Sequence, residues 1–124
     1  MKPYEFEQLV CDHYRQKGYR VQTTSASNDY GIDVFAEKKG EKIAVQVKMY
    51  GGSTRKVNRQ TMMELYGAAA YFDCTKAVLA TDGEVLTDAK EVAHKLGIDI
   101  LFIQPDRKIS MPGASSAEWS LADI

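Results

Sequence analysis

The sequence predicts one α/β domain, a mixed β-sheet flanked by helices. Three observations predict it. Segments with apolar residues at helical spacing interleave with short runs of β-formers, in the order helix, three strands, helix, strand, helix, strand. Two alternating runs meet at the dipeptide Lys39-Gly40, a hairpin signal. The run Ala77-Val78-Leu79-Ala80 is wholly apolar, as a strand covered on both faces must be. At 124 residues the chain is the size of one domain.

Each element has its own signal. Pro3 suits a first helical turn, and Phe6, Leu9, Val10, His13 and Tyr14 follow at helical spacing until Gly18. Residues 19–24 alternate and are rich in β-formers, so they read as a strand. A polar loop up to Tyr30 follows, in which Asn28 and Asp29 are turn formers. Residues 32–37 and 42–49 form the hairpin, with Glu37 opposite Lys42, Phe35 opposite Ala44, and Asp33 opposite Gln46. Strict alternation puts Ile32, Val34 and Ala36 on one face and Asp33, Phe35 and Glu37 on the other. A glycine-containing loop, 50–54, leads to a helix over 57–72. The central strand follows, then a helix over 85–96 closed by Gly97, and a last strand over 99–103. The strand-helix-strand unit requires a parallel pair. The domain is expected to span 1–104, with an irregular tail over 105–124 whose one apolar anchor is Trp119.

Composition narrows the functional classes. Hydrophobic residues at 44% and charged residues at 27% are ordinary globular values. No apolar run is long enough to cross a bilayer, and the amino terminus lacks a secretory pattern. Cys11 and Cys74 have no close-spaced partners, which argues against a zinc site or a disulfide framework. A cytoplasmic location is the expectation. The net charge of −1 decides nothing, but its distribution does. Between residues 38 and 59 stand Lys38, Lys39, Lys42, Lys48, Arg55, Lys56 and Arg59 against the lone Glu41, a candidate phosphate-binding stripe. Acids such as Asp82, Glu84 and Asp88 collect elsewhere. The segment Gly51-Gly52-Ser53-Thr54-Arg55-Lys56 lacks the spacing of a P-loop and reads as a DNA-contacting loop, with Arg55, Lys56 and Arg59 on the backbone phosphates. His13 and His94 stand apart and read as structural.

The chemistry lies in the hairpin. Asp33, Gln46 and Lys48 converge on one of its faces, and Asp is a poor strand former. A carboxylate is a hard oxygen ligand suited to magnesium, and an ammonium beside it can stabilise charge on a phosphoryl group. Taken on alternation alone, the same trio also fits a solvated hairpin face.

Gly31-Ile32-Asp33 followed by Gln46-Val47-Lys48 resembles the Mrr-type branch of the PD-(D/E)xK nucleases. The resemblance extends to Tyr4-Glu5-Phe6-Glu7, to Glu64-Leu65-Tyr66-Gly67-Ala68 and to Ala80-Thr81, and it runs to about Ile103. It implies a restriction-endonuclease-like αβββαβ core with an extra helix before the last strand. It also implies a magnesium-dependent DNA endonuclease of restriction or repair type, with manganese as the substitute metal. Asp33 would be a metal ligand, Gln46 the second motif position, the Val47 carbonyl a further ligand and Lys48 the catalytic lysine. Glu7 sits where relatives place a helix-borne acid that reaches the metal. Most of the wider superfamily carries an acid at the position of Gln46, so metal affinity here leans on Asp33 and Glu7. A structure-selective enzyme similar to Holliday junction resolvases and a non-catalytic DNA-binding domain are the alternatives. The expected partners are DNA, with a homodimer and a recruiting protein or further domain left open.

Overall fold

The computed structural model describes residues 1–24, 30–104, 106 and 108–111. Asn28, Asp29 and Trp119 lie outside the described residues. Helix α1 (Pro3–Gln16) is followed by β1 (Arg20–Thr23), β2 (Val34–Lys38) and β3 (Glu41–Lys48). Helix α2 (Arg59–Tyr71), β4 (Lys76–Thr81), α3 (Thr87–Leu96), β5 (Asp99–Ile103) and β6 (Ile109–Ser110) complete the order. The strands form one sheet in the order β1-β2-β3-β4-β5-β6. The first three make an antiparallel meander, β3, β4 and β5 run parallel, and β6 returns antiparallel. This is the mixed α/β sheet the sequence predicts.

Two apolar layers hold it. Phe6, Val10, Cys11 and Tyr14 of α1 recur every turn and pack on Val34, Ala36, Ile43, Val45, Val78 and Leu101. On the other face, Met62 and Leu65 of α2 with Ala89 and Ala93 of α3 cover Ala44, Leu79 and Ile100. The central β4 therefore buries both of its faces, which its apolar run requires. Among the described residues, no helix is long and apolar enough to cross a membrane. Both cysteines are free thiols.

The hairpin turn matches its sequence signal. Lys39 and Gly40 both have positive φ (46° and 82°), the conformation of a tight two-residue turn whose twist matches the strands. The expected pairs Glu37↔Lys42 and Phe35↔Ala44 are present.

Two helices begin later than periodicity predicts. Val57 and Val85 form a parallel bridge instead, with Val57 N–H donating to Glu84 O and Leu86 N–H to Val57 O. Both valines are buried. β-Branched residues fit an extended backbone better than a first helical turn. Asn58 then caps α2 by accepting from Thr61 N–H at 3.0 Å. The two-residue β6 is an addition, too short to announce itself by periodicity.

Candidate nuclease site

Alternation fails at Asp33, and the failure builds the site. Ile32 packs with the α2–α3 layer, whereas Val34 and Ala36 pack under α1, so the three do not share a face as expected. The ladder holds as far as Val34↔Val45, where Asp33 N–H also donates to Val45 O at 2.9 Å. Two residues of one chain thus oppose one of the other, as in a β-bulge. Gly31, at φ 85°, supplies the left-handed residue the approach requires. Asp33 is therefore not the direct partner of Gln46.

The bulge turns the Asp33 carboxylate onto the backbone of β3. Its Oδ2 accepts from Val47 N–H at 2.7 Å. Because β2 begins only at Val34, this side of Val47 has no strand residue opposite it, and the carboxylate takes that place. The N–H and C=O of one strand residue point to the same neighbour, so the Val47 carbonyl faces the same side.

Asp33 lies in the field of two charged groups, Glu7 on α1 and Lys48 on β3. Burial pushes the Asp33 carboxyl above its ordinary range, opposed by the Val47 N–H and by the Lys48 ammonium. Glu7 of α1 is also raised, first by burial and then by the negative charge of Asp33. Two carboxylates are held near each other at a cost, with one cation beside them.

The end of β3 is pinned by a feature absent from the sequence expectations. Asp82 Oδ1 accepts from both Tyr50 N–H and Gly51 N–H at 2.7 Å. Thr81 Oγ1 donates to Lys48 O at 2.7 Å. The two loops touch so closely that a Cβ on Gly51 would stand 2.5 Å from Asp82 Oδ2, and one on Gly83 would stand 2.7 Å from Tyr50 Cβ. The available signal was Thr81-Asp82-Gly83 directly after an apolar strand, a turn rich in acceptors.

Gln46 is buried on the α2 side of β3, where its Oε1 has no hydrogen-bond partner among the described residues. Its amide lies beneath Gly31, whose Cβ, were there one, would sit 2.9 Å from Nε2.

The basic stripe is not one surface. Lys38 Nζ bonds Lys17 O and Lys42 Nζ bonds Phe72 O, at the hairpin-turn end of β3. Arg55, Lys56 and Arg59 lie beyond the other end, about 25 Å away along an eight-residue strand. There the acids are not elsewhere: Lys56 pairs with Glu84 at 3.2 Å and Arg59 with Asp88 at 3.5 Å. Arg55 stacks on Tyr50 at 4.5 Å. His13 sits edge-on to Tyr14, and burial lowers its pKa, consistent with a structural role.

Among the described residues, no three His, Cys, Asp or Glu side chains gather as a metal-binding group. The available donors are the two carboxylates and the Val47 carbonyl, whereas the Gln46 oxygen is buried on the α2 side. This all-oxygen set, with mutually repelling acids, fits a hard divalent cation that keeps several waters.

Known proteins resemble this chain. The uncharacterised protein y4cE of Sinorhizobium fredii is 34% identical over 98 residues, covering 70% of this chain and 25% of that protein. A UPF0102 protein of Aquifex aeolicus is 39% identical over 49 residues, covering 39% of this chain and 48% of that one. The chain thus spans at most about half the length of these curated relatives. Among solved structures, a protein of unknown function superposes with a TM-score of 0.63 at 20% identity, over 77% of this chain and 56% of that one. The Holliday junction resolvase Hjc of Archaeoglobus fulgidus gives 0.50 at 15% identity, over 82% and 70%. These two likenesses are of fold. The profile of the restriction endonuclease family with the Mrr-type catalytic domain matches residues 1–108, which include Glu7, Asp33 and Lys48, and the chain belongs to that family.

Proposed function

We propose that the domain is a divalent-metal-dependent endonuclease that hydrolyses DNA phosphodiester bonds. One observation carries this reading: at a bulge, the Asp33 carboxylate is fixed on the Val47 N–H beside Lys48, where it feels the Lys48 ammonium and its own charge is felt by Glu7 of α1. Glu7, Asp33 and the Val47 carbonyl would hold magnesium, with manganese as a substitute. Gln46, at the second motif position, is the reserve ligand should its amide turn toward Asp33. The cation, when bound, supplies Lewis acidity toward the phosphate and a lower pKa for the attacking water.

The rest of the chemistry belongs to the chain. The Val47 N–H fixes one oxygen of Asp33, so the carboxylate cannot rotate away from its task. The Lys48 ammonium stabilises negative charge growing on the phosphoryl oxygens, and its point charge on a flexible stem suits that role. Thr81 and Asp82 hold the backbone from which Lys48 projects. Arg55 offers a cation to the DNA backbone beside the cut.

The test is a cleavage assay on duplex, single-stranded, nicked and four-way DNA, with magnesium and with chelator. Cleavage should require the metal, and Asp33→Ala and Lys48→Ala should each abolish it without loss of fold. A pure Lys48→Ala protein that cuts as fast as the parent would refute the mechanism. Cleavage confined to four-way DNA would establish the second reading, a structure-selective resolvase-type enzyme.

A further inference from the structure

Resting on the nuclease reading above, we propose that the cavity between β3 and α2 receives one unstacked nucleobase of the DNA strand. The cavity has a volume of about 560 Å³, within the range of small-molecule sites. Its wall is aromatic, with Tyr30 and Tyr71 both resting on Phe72, and Gln46 and Glu64 are polar residues of its lining.

Tyr30 and Tyr71 form the wall. Both residues are 67% exposed, with ring centroids 5.1 Å apart. Tyr30 is held at φ 51°, a conformation that a bulky residue seldom adopts. An exposed aromatic pair held in place at a backbone cost is a stacking platform, and every base has a face to stack.

Gly67 makes the room. It lies inside α2, where glycine is destabilising relative to alanine. A Cβ there would meet nothing within 4 Å among the described residues, so no contact with them demands glycine. The space is left for something else.

Gln46 and Glu64 supply the polar contacts. Gln46 is only 8% exposed and lines the cavity, and its Oε1 is buried with no partner among the described residues. Glu64 also lines the cavity and accepts from Gln60 Nε2 at 3.4 Å. Two acceptors favour a base with an exocyclic amino group, that is adenine, cytosine or guanine over thymine. Gln46 stands two residues from Lys48, roughly 7 Å along the strand, so the occupant is a nucleotide adjoining the scissile phosphate.

The experiment uses the Lys48→Ala chain with magnesium, so that no strand is cut. A duplex with one unpaired 2-aminopurine reports base capture by its fluorescence, and a remote dye on the same duplex reports binding by anisotropy. The fluorescence should change saturably in step with anisotropy. Gly67→Leu, which fills the cavity with a good helix former, and Tyr71→Leu should each weaken that response about tenfold while still binding paired duplex. Unlabelled duplexes with an unpaired adenine or cytosine should compete about tenfold better than one with thymine. Should anisotropy rise with no fluorescence change, or should both variants respond as the parent does, the cavity proposal is overturned and the nuclease reading stands. Equal competition by thymine would remove Glu64 and Gln46 from base recognition. If anisotropy rises on no duplex, the nuclease reading falls and this proposal falls with it.

Discussion

Replacing Asp82 by alanine removes the acceptor for two backbone donors at once. A hydrogen bond to a charged group contributes about 1.5–3 kcal/mol when buried. The Tyr50 donor is partly buried and should count nearly in full, whereas the Gly51 donor faces solvent and should count for little. The expected loss is therefore about 2–4 kcal/mol, a large part of the roughly 5–15 kcal/mol that stabilises a typical domain. For a chain of this length that lowers Tm by roughly 8–15 °C. Function should suffer further, because Tyr50 is two residues from Lys48 and a 1 Å misplacement can cost about a hundredfold in rate. Asp82→Asn keeps an acceptor oxygen and should recover about half of the stability. Denaturant unfolding gives the first quantity, and single-turnover cleavage well below the variant's Tm gives the second. If Asp82→Ala unfolds within about 0.5 kcal/mol of the parent, a level typical of inconsequential surface changes, the carboxylate does not pin β3.

Other perturbations follow from the charges. The folded state holds Asp33 and Glu7 above their ordinary pKa, so it binds more protons than the unfolded chain just above the normal carboxylate range. Stability from this pair is therefore greatest in acid and falls as pH rises through the raised values. Glu7→Gln should accordingly raise the metal-free Tm at neutral pH and shrink the Tm gain on adding magnesium; an unchanged magnesium response would remove Glu7 from the metal site. On DNA, Arg55→Ala should lower the salt slope of duplex binding by about one unit. Because Lys56 and Arg59 are engaged by Glu84 and Asp88, Glu84→Gln with Asp88→Asn should tighten duplex binding, and weaker binding would show that surface does not meet DNA.

What the sequence reveals of this molecule depends on how local the cause is. The hairpin register was legible because Lys39-Gly40 accepts two positive φ values and a one-residue slip would have turned β2 and β3 inside out. The layering was legible because α1 and β4 carry their burial pattern in consecutive residues. The bulge at Asp33 was not, since alternation continues through Ile32-Asp33-Val34 in the sequence and only the partner strand breaks it. Nor was the Val57–Val85 bridge, which borrows residues that each helix pattern claims. The site shows the same division. Asp33 and Lys48 carry a motif, while Asp82 and the wall formed by Tyr30 and Tyr71 arise from segments that meet only in the folded chain.

The position of β3 also governs which parts of the site can move. It is an inner strand, paired with β4 through Lys48 but with β2 only as far as Val45, so Lys48 and Val47 ride on backbone held by the β4 ladder and, at the Val47 N–H, by the Asp33 carboxylate. Glu7 instead rides on α1, which is held to the sheet by side-chain packing, without a ladder. A tilt of that helix changes the distance between the two acids without breaking one strand bond. In the proposed nuclease, adjustment to a substrate therefore falls to α1 (Pro3–Gln16) more than to β3.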